Sequence, residues 1–398
     1  MVTGCGARSA VQNRIRGRKL TIYASVPLNG ASSVSGRAVL NGAELALDSI
    51  HARIGRYRIA FRELDDSTVQ AGGWDPGQTT ANVHLAMLDP TTIGYLGEYN
   101  SGASAVSIPL LNRDDIPQIS ASSTAVGLTD GGPEASPGEP AKYYPTGRRT
   151  FARVVPSDAV QATVLADLQK SLGCVKTYVL DDEEVDGRDI AASFEVAAKA
   201  AGLNVVGSQE YEPQATNYTS LAAGIAQTGA DCVLIAAITE DHAVLVTRQI
   251  AAALPDARIF GSAGLAESTY VDPALGGIPL SLDPRVLITV ATLDPAAYPP
   301  AARSFYSLYR HRYGTPQPYA IFGYEAMSLM LDAISRATDA GRRVAVRSRV
   351  LDAIFATRDR HSVVGTYSID DDGDTSLARY GVYRVRDGRL SFWKALPG

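Results

Sequence analysis

The chain has 398 residues, of which 45% are hydrophobic and 20% are charged, and its formal net charge is −5. This length is enough for two domains with buried cores, and the composition is that of a globular protein. The charge balance gives no basic surface, so nucleic acid is not a predicted partner. No apolar run reaches the length that spans a bilayer, so no transmembrane helix is predicted.

The first part of the chain alternates strands with helices. The predicted strands are Leu20–Val26, Tyr57–Leu64, Ile93–Leu96 and Ile116–Ser120, and the predicted helices are Gly36–Ile50, Gln78–Leu88 and Ser104–Asn112. Repeated β-α units of this kind predict a parallel sheet covered on both faces.

A loop rich in Gly, Pro, Glu and Ser covers residues 127–149, and the predicted strand Phe151–Val155 then crosses to a second unit. That unit repeats the alternation. Its predicted helices are Val160–Leu172, Ile190–Ala201, Tyr218–Gln227 and His242–Ala253, and its strands are Val175–Leu180, Val205–Ser208, Val233–Ile238, Ile259–Ser262 and Val286–Val290.

The last hundred residues return to long helices and end in a hairpin. The predicted helices Ala301–Tyr313, Tyr319–Ala337 and Arg347–Phe355 are expected to pack on the first unit, and Asp387-Gly388 joins two alternating runs.

The predicted fold is α/β, with two doubly wound parallel-sheet lobes joined by a multi-crossing hinge. The expected division is residues 1–18 as an N-terminal tether, 19–152 plus 293–365 as lobe 1, and 153–292 plus 366–398 as lobe 2. The cleft between the lobes is the expected site.

Two turns rich in small and hydroxyl-bearing residues follow predicted strands about twenty residues apart. The first is Gly94–Ala103, which opens a helix, and the second lies within Pro117–Thr124. Free N–H groups at a helix start can hold an anion, and ligands of open α/β sheets bind at the carboxyl ends of strands. The turns therefore predict two walls of one site for a small carboxylate that is released unchanged.

Sequence patterns typical of enzymes are missing. There is no phosphate-binding loop, dinucleotide-binding glycine pattern or nucleophile elbow, and the five histidines have no metal-ligand spacing. The chain is therefore predicted not to be an enzyme and to use no cofactor or metal; an amidase-like activity in the cleft is the enzymatic alternative.

Acidic residues at positions 181–184 and 186 follow the predicted strand Val175–Leu180. The sequence predicts a solvated loop for all of them except Asp186, which is expected to face the cleft.

Taken in order, several segments resemble those of the leucine/isoleucine/valine-type solute-binding proteins of bacterial ABC importers, which have the type I periplasmic binding fold. The resemblance covers about residues 19–395. The segments that carry it are Ile22–Gly30, Gly94–Ala103, Leu110–Asn112, Ile116–Thr124, Tyr178–Gly187, Asn217-Tyr218 and Phe260–Gly264. It implies a protein that closes on a ligand by hinge motion and delivers it to a membrane permease.

In that family, hydroxyl groups of the first lobe hold the ligand carboxylate. The matching loops give these roles to Ser101, Ser122 and Thr124, and the neighbouring Tyr99 and Asn100 belong to the same predicted site. Hydrogen bonds to a charged group are worth about 1.5–3 kcal/mol each, so hydroxyls at a helix start suit an anion.

The second lobe departs from the family pattern at three predicted ligand-binding positions. Asp186 and Ile238 stand where the family usually or often has aromatic residues, and Ala263 stands where amino-acid binders usually carry an acid for the ligand ammonium. A buried ammonium without a partner is unfavourable. Either Asp186 or Glu267 therefore pairs with the ligand ammonium, or the ligand is a carboxylate without an α-amine rather than a branched-chain or other amino acid.

The resemblance also implies an ABC permease as partner, a monomeric state and an extracytoplasmic location; a ligand sensor that is not coupled to transport is the alternative role. Val2–Cys5 resembles the end of a bacterial lipoprotein signal, so Cys5 is the predicted lipidation site. The lipid would then be the one link to the membrane, and the protein is expected on the cell surface as a lipoprotein or in the periplasm.

Cys174 and Cys232 each precede a predicted strand of the second lobe. If these strands are neighbours, both cysteines lie at one edge of the sheet, where a disulfide is geometrically possible and an exported compartment permits it. Two separate buried cysteines are the alternative.

Overall fold

The computed structural model describes residues 13–132 and 135–398, so the predicted lipidation site Cys5 lies outside the described residues. The strands are β1 (Lys19–Val26), β2 (Arg53–Ile54), β3 (Tyr57–Asp65), β4 (Ser67–Thr68), β5 (Gly73–Trp74), β6 (Thr92–Leu96), β7 (Gln118–Ser120), β8 (Phe151–Arg153), β9 (Lys176–Asp181), β10 (Asn204–Glu210), β11 (Cys232–Ala236), β12 (Arg258–Gly261), β13 (Val286–Val290), β14 (Arg360–His361), β15 (Thr366–Tyr367), β16 (Arg379–Arg386) and β17 (Arg389–Pro397).

The helices are α1 (Ser33–Ser49), α2 (Pro76–Leu88), α3 (Ser101–Arg113), α4 (Asp158–Ser171), α5 (Val185–Ala201), α6 (Thr219–Gln227), α7 (Val244–Ala253), α8 (Ser268–Val271), α9 (Ala302–Tyr313), α10 (Ala320–Ala337) and α11 (Arg347–Phe355). The predicted elements are present, with ends that shift by a few residues. The largest shift is at α5, which begins five residues before the predicted start because its first turn is acidic rather than apolar.

Two separate sheets organise the chain. The first has the order β2-β3-β1-β6-β7-β8, and the second has the order β10-β9-β11-β12-β13-β16-β17. Pairing is parallel in both sheets except at β2 and at the hairpin β16–β17. Strands β6, β11 and β13 are buried along their whole length, as expected for parallel strands with helices on both faces. We call the parts built on these sheets the first lobe and the second lobe.

The chain crosses between the lobes three times: after β8, after β13 and again before β16. The long helix α10 packs on α1 and α11, which places the late helices on the first lobe. The hairpin β16–β17 turns at Asp387-Gly388, where both residues have positive φ, and it completes the second lobe. The predicted division at residues 152, 292 and 365 remains a prediction.

Part of the predicted tether belongs to the folded first lobe. Ile15 is buried, its N–H donates to the Ala345 carbonyl, and Arg14 forms an isolated bridge with Val346. Among the described residues, no helix is both long and apolar enough to cross a membrane.

A disulfide joins Cys174 and Cys232, whose Cα atoms lie 5.9 Å apart. The two cysteines lie at the starts of the paired strands β9 and β11. The bond therefore closes the edge of the second sheet that is opposite to the carboxyl ends of these strands.

Candidate ligand-binding site

Two turns of the first lobe form one wall at the carboxyl ends of β6 and β7. Ser120 Oγ and Ser123 Oγ both donate to the carbonyl of Glu98, at 2.7 and 3.0 Å, and Ser122 Oγ donates to the carbonyl of Tyr99 at 2.8 Å. The serine-rich sequence is therefore used to fasten one turn to the other. The Ser122 hydroxyl, predicted as a ligand contact, is engaged by the protein backbone.

The second lobe places Asp186 against this wall. Asp186 lies in the first turn of α5, and its Oδ1 accepts hydrogen bonds from Ser101 Oγ at 3.2 Å and Thr124 Oγ1 at 3.0 Å. The Ser101 oxygen in turn accepts the N–H groups of Thr124 and Ala125. The Asp186 carboxylate thus accepts from the two hydroxyls, at the start of α3, that the resemblance assigns to a ligand carboxylate.

A cavity of about 30 Å³ lies between the lobes at this point. This volume has room for about one water molecule, so a ligand of several heavy atoms requires the lobes to separate first. All eight predicted ligand-binding residues line this cavity, and their roles in binding stay a prediction. The full lining is Tyr99, Asn100, Ser101, Ser122, Thr124, Asp186, Ile238, Ala263, Gly264 and Tyr319.

Two lining residues were missed by the sequence interpretation. Gly264 lies in the Phe260–Gly264 loop that the resemblance had identified, next to Ala263. Tyr319 comes from a distant part of the chain, just before α10, and its ring packs edge-on against Tyr99 with centroids 5.8 Å apart. Tyr319 directly follows Pro318 and has a backbone φ of 68°. An aromatic residue between a proline and the start of a helix was the sequence signal that could have identified it.

The two acids proposed as partners of a ligand ammonium differ in their surroundings. Both oxygens of Glu267 are engaged across the cleft, by Ser35 Oγ at 2.6 Å and Tyr99 Oη at 2.8 Å. Glu267 is buried and does not line the cavity, whereas Asp186 does. Of the two, Asp186 is therefore the acid that a ligand in this cavity can reach.

Further contacts across the cleft hold the lobes together. Glu240 Oε1 accepts the N–H of Ser32 at 3.1 Å, and Thr269 Oγ1 donates to the carbonyl of Ala31 at 2.9 Å. Burial raises the pKa of Glu240 and raises that of Glu267 to about 8. The structure is therefore a closed form in which acids of the second lobe reach groups of the first.

The prediction of a solvated acidic loop is wrong for Asp181 and Asp182, which are both buried. Asp182 Oδ1 accepts the N–H of Glu184 at 3.1 Å, and its Oδ2 accepts the N–H of Ile238 at 2.6 Å. The carboxylate satisfies backbone donors at two strand ends, which explains why it is tolerated inside. Burial raises the pKa of Asp182 well above its usual range and that of Glu184 to about 7.

Two further carboxyl groups lie behind Asp186. Asp158 is 1% exposed and neither of its oxygens forms a hydrogen bond within the described residues, while Asp189 Oδ2 accepts the N–H of Val126. Burial raises the pKa of Asp158 and Asp186, and it raises that of Asp189 to about 7. Without a nearby cation, burial therefore favours the neutral form of these three carboxyl groups.

Arg153 is a buried cation of this network, and its guanidinium already donates hydrogen bonds to other groups of the protein. Its Nε donates to Asp374 at 2.6 Å, its Nη1 to the carbonyl of Ala125 at 2.6 Å and its Nη2 to Thr129 at 2.6 Å. It does not line the cavity.

Larger hollows lie elsewhere in the described part of the chain. One of about 730 Å³ opens beside β13 and the hairpin, and one of about 530 Å³ lies between α9 and β17. We assign the site to the small cavity because residues of both lobes and the strand-end turns meet there.

Two lobes that close over a small polar cavity at their strand ends define a ligand-binding protein of the hinge-closing class. The family model described as "Periplasmic binding protein" matches residues 19–389, so the chain belongs to that family. The chain is similar to Leu/Ile/Val-binding protein homolog 7 of Brucella abortus, with 21% identity over 370 residues, which are 92% of this chain and 88% of the relative.

Solved structures share the fold. The leucine-binding protein LivK of Thermotoga maritima superposes with a TM-score of 0.80 and 21% identity, over 95% of this chain and 99% of that one. A solute-binding protein of Rhodopseudomonas palustris in complex with p-hydroxybenzoic acid gives a TM-score of 0.76 at 14% identity, over 95% and 97%. One of these similar structures is thus a leucine-binding protein and the other is a complex with an aromatic acid.

Proposed function

We propose that this protein is the extracytoplasmic solute-binding protein of an ABC importer and that its ligand is a small carboxylate with an amine, a branched-chain or another amino acid. The observation that carries this proposal is the cavity lined from both lobes, with Asp186 as its acidic group. When a ligand carboxylate takes the hydroxyls of Ser101 and Thr124, Asp186 is released to pair with the adjacent ammonium. It thereby replaces the acid that the family usually has at the position of Ala263.

The mechanism is a shift between open and closed forms. In the open form a ligand meets the turns of the first lobe, and closure adds Asp186, Ile238 and Ala263 from the second lobe. A ligand that contacts both lobes only in the closed form shifts the equilibrium toward closure by its difference in affinity for the two forms. The three chain crossings supply the hinge.

The partner and the location follow from the same proposal. The closed protein would present its ligand to an ABC permease as a monomer, and lipidation of Cys5 would hold it at the outer face of a membrane. The alternative role, a sensor that reports to a regulator, uses the same cavity and differs only in the partner. Co-purification with a candidate ABC permease, in the presence and absence of ligand, tests the transport role.

The first experiment compares leucine with 4-methylpentanoate, which has the same skeleton without the amine, in a thermal-shift measurement. A ligand at about a hundred times its Kd stabilises a protein by roughly 2.7 kcal/mol. We expect an amino acid to raise Tm while its deaminated analogue does not. If leucine is silent, the remaining amino acids are tested in the same way, and silence of all amino acids and acids would contradict the proposal.

A carboxylate without an α-amine is the second candidate. It is favoured by Ala263 in place of the usual acid, and the relative in complex with p-hydroxybenzoic acid shows that such ligands occur on this fold. A thermal shift with 4-methylpentanoate or p-hydroxybenzoate but with no amino acid would establish this candidate instead.

A further inference from the structure

The lining of the cavity carries one negative group and no positive group. Among the described residues, Asp186 is the only charged one in the lining. The buried cation of this region, Arg153, already pairs with Asp374 at 2.6 Å and does not line the cavity. A ligand that enters therefore meets the carboxylate of Asp186 and no cation in the described lining.

The side-chain hydroxyls expected to hold a ligand carboxylate are engaged by acceptors of the protein. Ser101 and Thr124 donate to Asp186, Ser122 donates to the Tyr99 carbonyl, and the Tyr99 hydroxyl donates to Glu267. A ligand carboxylate that takes the hydroxyls of Ser101 and Thr124 displaces Asp186 and then lies beside it, so the two negative charges need positive charge on the ligand to offset their repulsion.

One hydrogen-bond acceptor in the cavity lining, by contrast, has no donor. Asn100 lines the cavity, is 8% exposed, and its Oδ1 has no hydrogen-bond partner within the described residues. Buried polar atoms are usually hydrogen-bonded. Among the described residues, Asn100 Oδ1 is the only buried atom without a partner whose residue lines this cavity, so a donor on a ligand can satisfy it.

We propose that the ligand carries net positive charge, and that its ammonium or guanidinium group binds beside the Asp186 carboxylate with Asn100 Oδ1 as a further acceptor. The chemical class is that of a basic amino acid or a diamine. This inference rests on the proposed function, since it names the ligand class of the same cavity. It differs from that function in requiring more positive than negative charges on the ligand.

The arrangement matches the chemistry of such a cation. Ammonium and guanidinium groups have only donors, and they form their strongest hydrogen bonds with carboxylates. A cation beside Asp186 compensates the burial of this carboxyl, and its remaining donors reach the acceptor that the protein leaves open. A neutral zwitterion adds one positive and one negative charge and leaves the excess of acid unchanged.

The test uses four linear compounds that differ only in their charged ends: lysine, 1,5-diaminopentane, 6-aminohexanoate and hexanoate. Binding to the disulfide-intact protein is measured by isothermal titration calorimetry at pH 7.5, with thermal shift as a second readout. We expect lysine or 1,5-diaminopentane to bind at least tenfold more tightly than 6-aminohexanoate, and hexanoate to show no binding. A preference for lysine identifies a basic amino acid, and a preference for 1,5-diaminopentane identifies a diamine.

Variants connect the preference to the named groups. Asp186→Asn keeps the shape of the side chain and removes its charge, and it should weaken binding of the cation at least tenfold. The matched control is Asp371→Asn, because that side chain is 98% exposed, does not line the cavity, and pairs with Arg358 at 3.6 Å. It should bind the cation as the wild type does. Far-UV circular dichroism and Tm show whether each variant is folded.

The outcomes separate this inference from the proposed function. If leucine, 6-aminohexanoate or an acid binds more tightly than both cations, the inference is overturned while the solute-binding role stands. Equal cation affinity in Asp186→Asn and the wild type also overturns it. If no compound of any charge binds, both the inference and the proposed function are contradicted.

Discussion

At the scale of single residues, Gly187 determines how closely Asp182 and Asp186 pack at the start of α5. A side chain at Gly187 would place its Cβ 2.0 Å from Asp182 Oδ1 and 2.7 Å from the carbonyl of Ala236. Gly187→Ala must therefore push the Asp182 carboxylate away from its backbone partners. Overpacking of this kind typically costs about 1–3 kcal/mol, and we expect that loss in the free energy of unfolding measured with urea.

A second glycine provides the control for this substitution. Gly224 lies inside α6, and nothing lies within 4 Å of the position that a Cβ atom would take there, so Gly224→Ala should leave stability unchanged or raise it by up to about 1 kcal/mol. Ligand affinity should fall only in Gly187→Ala, because Asp186 is its neighbour. Equal stability of the two variants would show that Asp182 adapts without loss.

Single positions also show what the sequence can reveal about a site. The positions of Ile238 and Ala263 follow from the order of strands and turns, because strand ends of parallel units meet at one edge. The roles of Ser122 and Asp182 do not, since they depend on which backbone groups lie opposite once the turns are folded. Tyr319 could not be assigned because it joins the cavity from the loop before α10, more than two hundred residues away from Tyr99.

At the scale of elements, the disulfide fastens the starts of β9 and β11. It closes a loop with a sequence separation of 58 residues, and removing such a bond from a folded domain typically costs about 2–4 kcal/mol. We expect the double variant Cys174→Ala/Cys232→Ala to lose that much stability in urea unfolding. Ligand affinity should be unchanged, because the cysteines lie at the edge opposite to the cavity.

The wild type treated with a reductant supplies the control for that prediction. It should reproduce the loss of stability, whereas the double variant should be insensitive to the reductant. A large fall in ligand affinity in the double variant would instead mean that the strand starts and the cavity are structurally coupled.

The ion pair between β8 and the third chain crossing is a second element-scale contact. Arg153 is fully buried, and Asp374 is 23% exposed and accepts from its Nε at 2.6 Å. Breaking a buried pair leaves the other charge without its partner, so Asp374→Asn should lower the free energy of unfolding by about 3 kcal/mol. Glu63→Gln is the control, because its pair with Arg37 is exposed and worth at most about 1 kcal/mol.

At the scale of the whole molecule, alternation of strands and helices was enough to predict two lobes. Patterns of burial along single strands and helices determine local structure, and a parallel sheet requires helices on both of its faces. The extent of interlobe contact could not be predicted, because it rests on pairs such as Glu267 with Ser35 and Glu240 with Ser32, which join residues over two hundred positions apart.

The same pairs make closure of the ligand-free protein dependent on pH. In the closed form, burial raises the pKa of Glu267 to about 8, with a further contribution from Glu240, while solvent in the open form returns it toward 4.5. Closure therefore takes up a proton between these values. The closed form is favoured as pH falls from 8 toward 4.5, and that contribution is lost as pH rises through 8. Glu240 and Asp186 act in the same direction, because burial raises their pKa as well.

Small-angle X-ray scattering of the ligand-free protein between pH 5 and 9 measures this effect as a change in radius of gyration. We expect a smaller radius at pH 5 than at pH 9, since one pKa unit corresponds to about 1.4 kcal/mol, or a tenfold change in the ratio of closed to open forms.

Glu267→Gln mimics the protonated acid and should flatten the profile by keeping the closed form at high pH. Glu195→Gln, on the exposed face of α5, should keep the profile of the wild type. A wild-type radius that does not change with pH would mean that the lobes stay closed, or stay open, for reasons other than the charge of these acids.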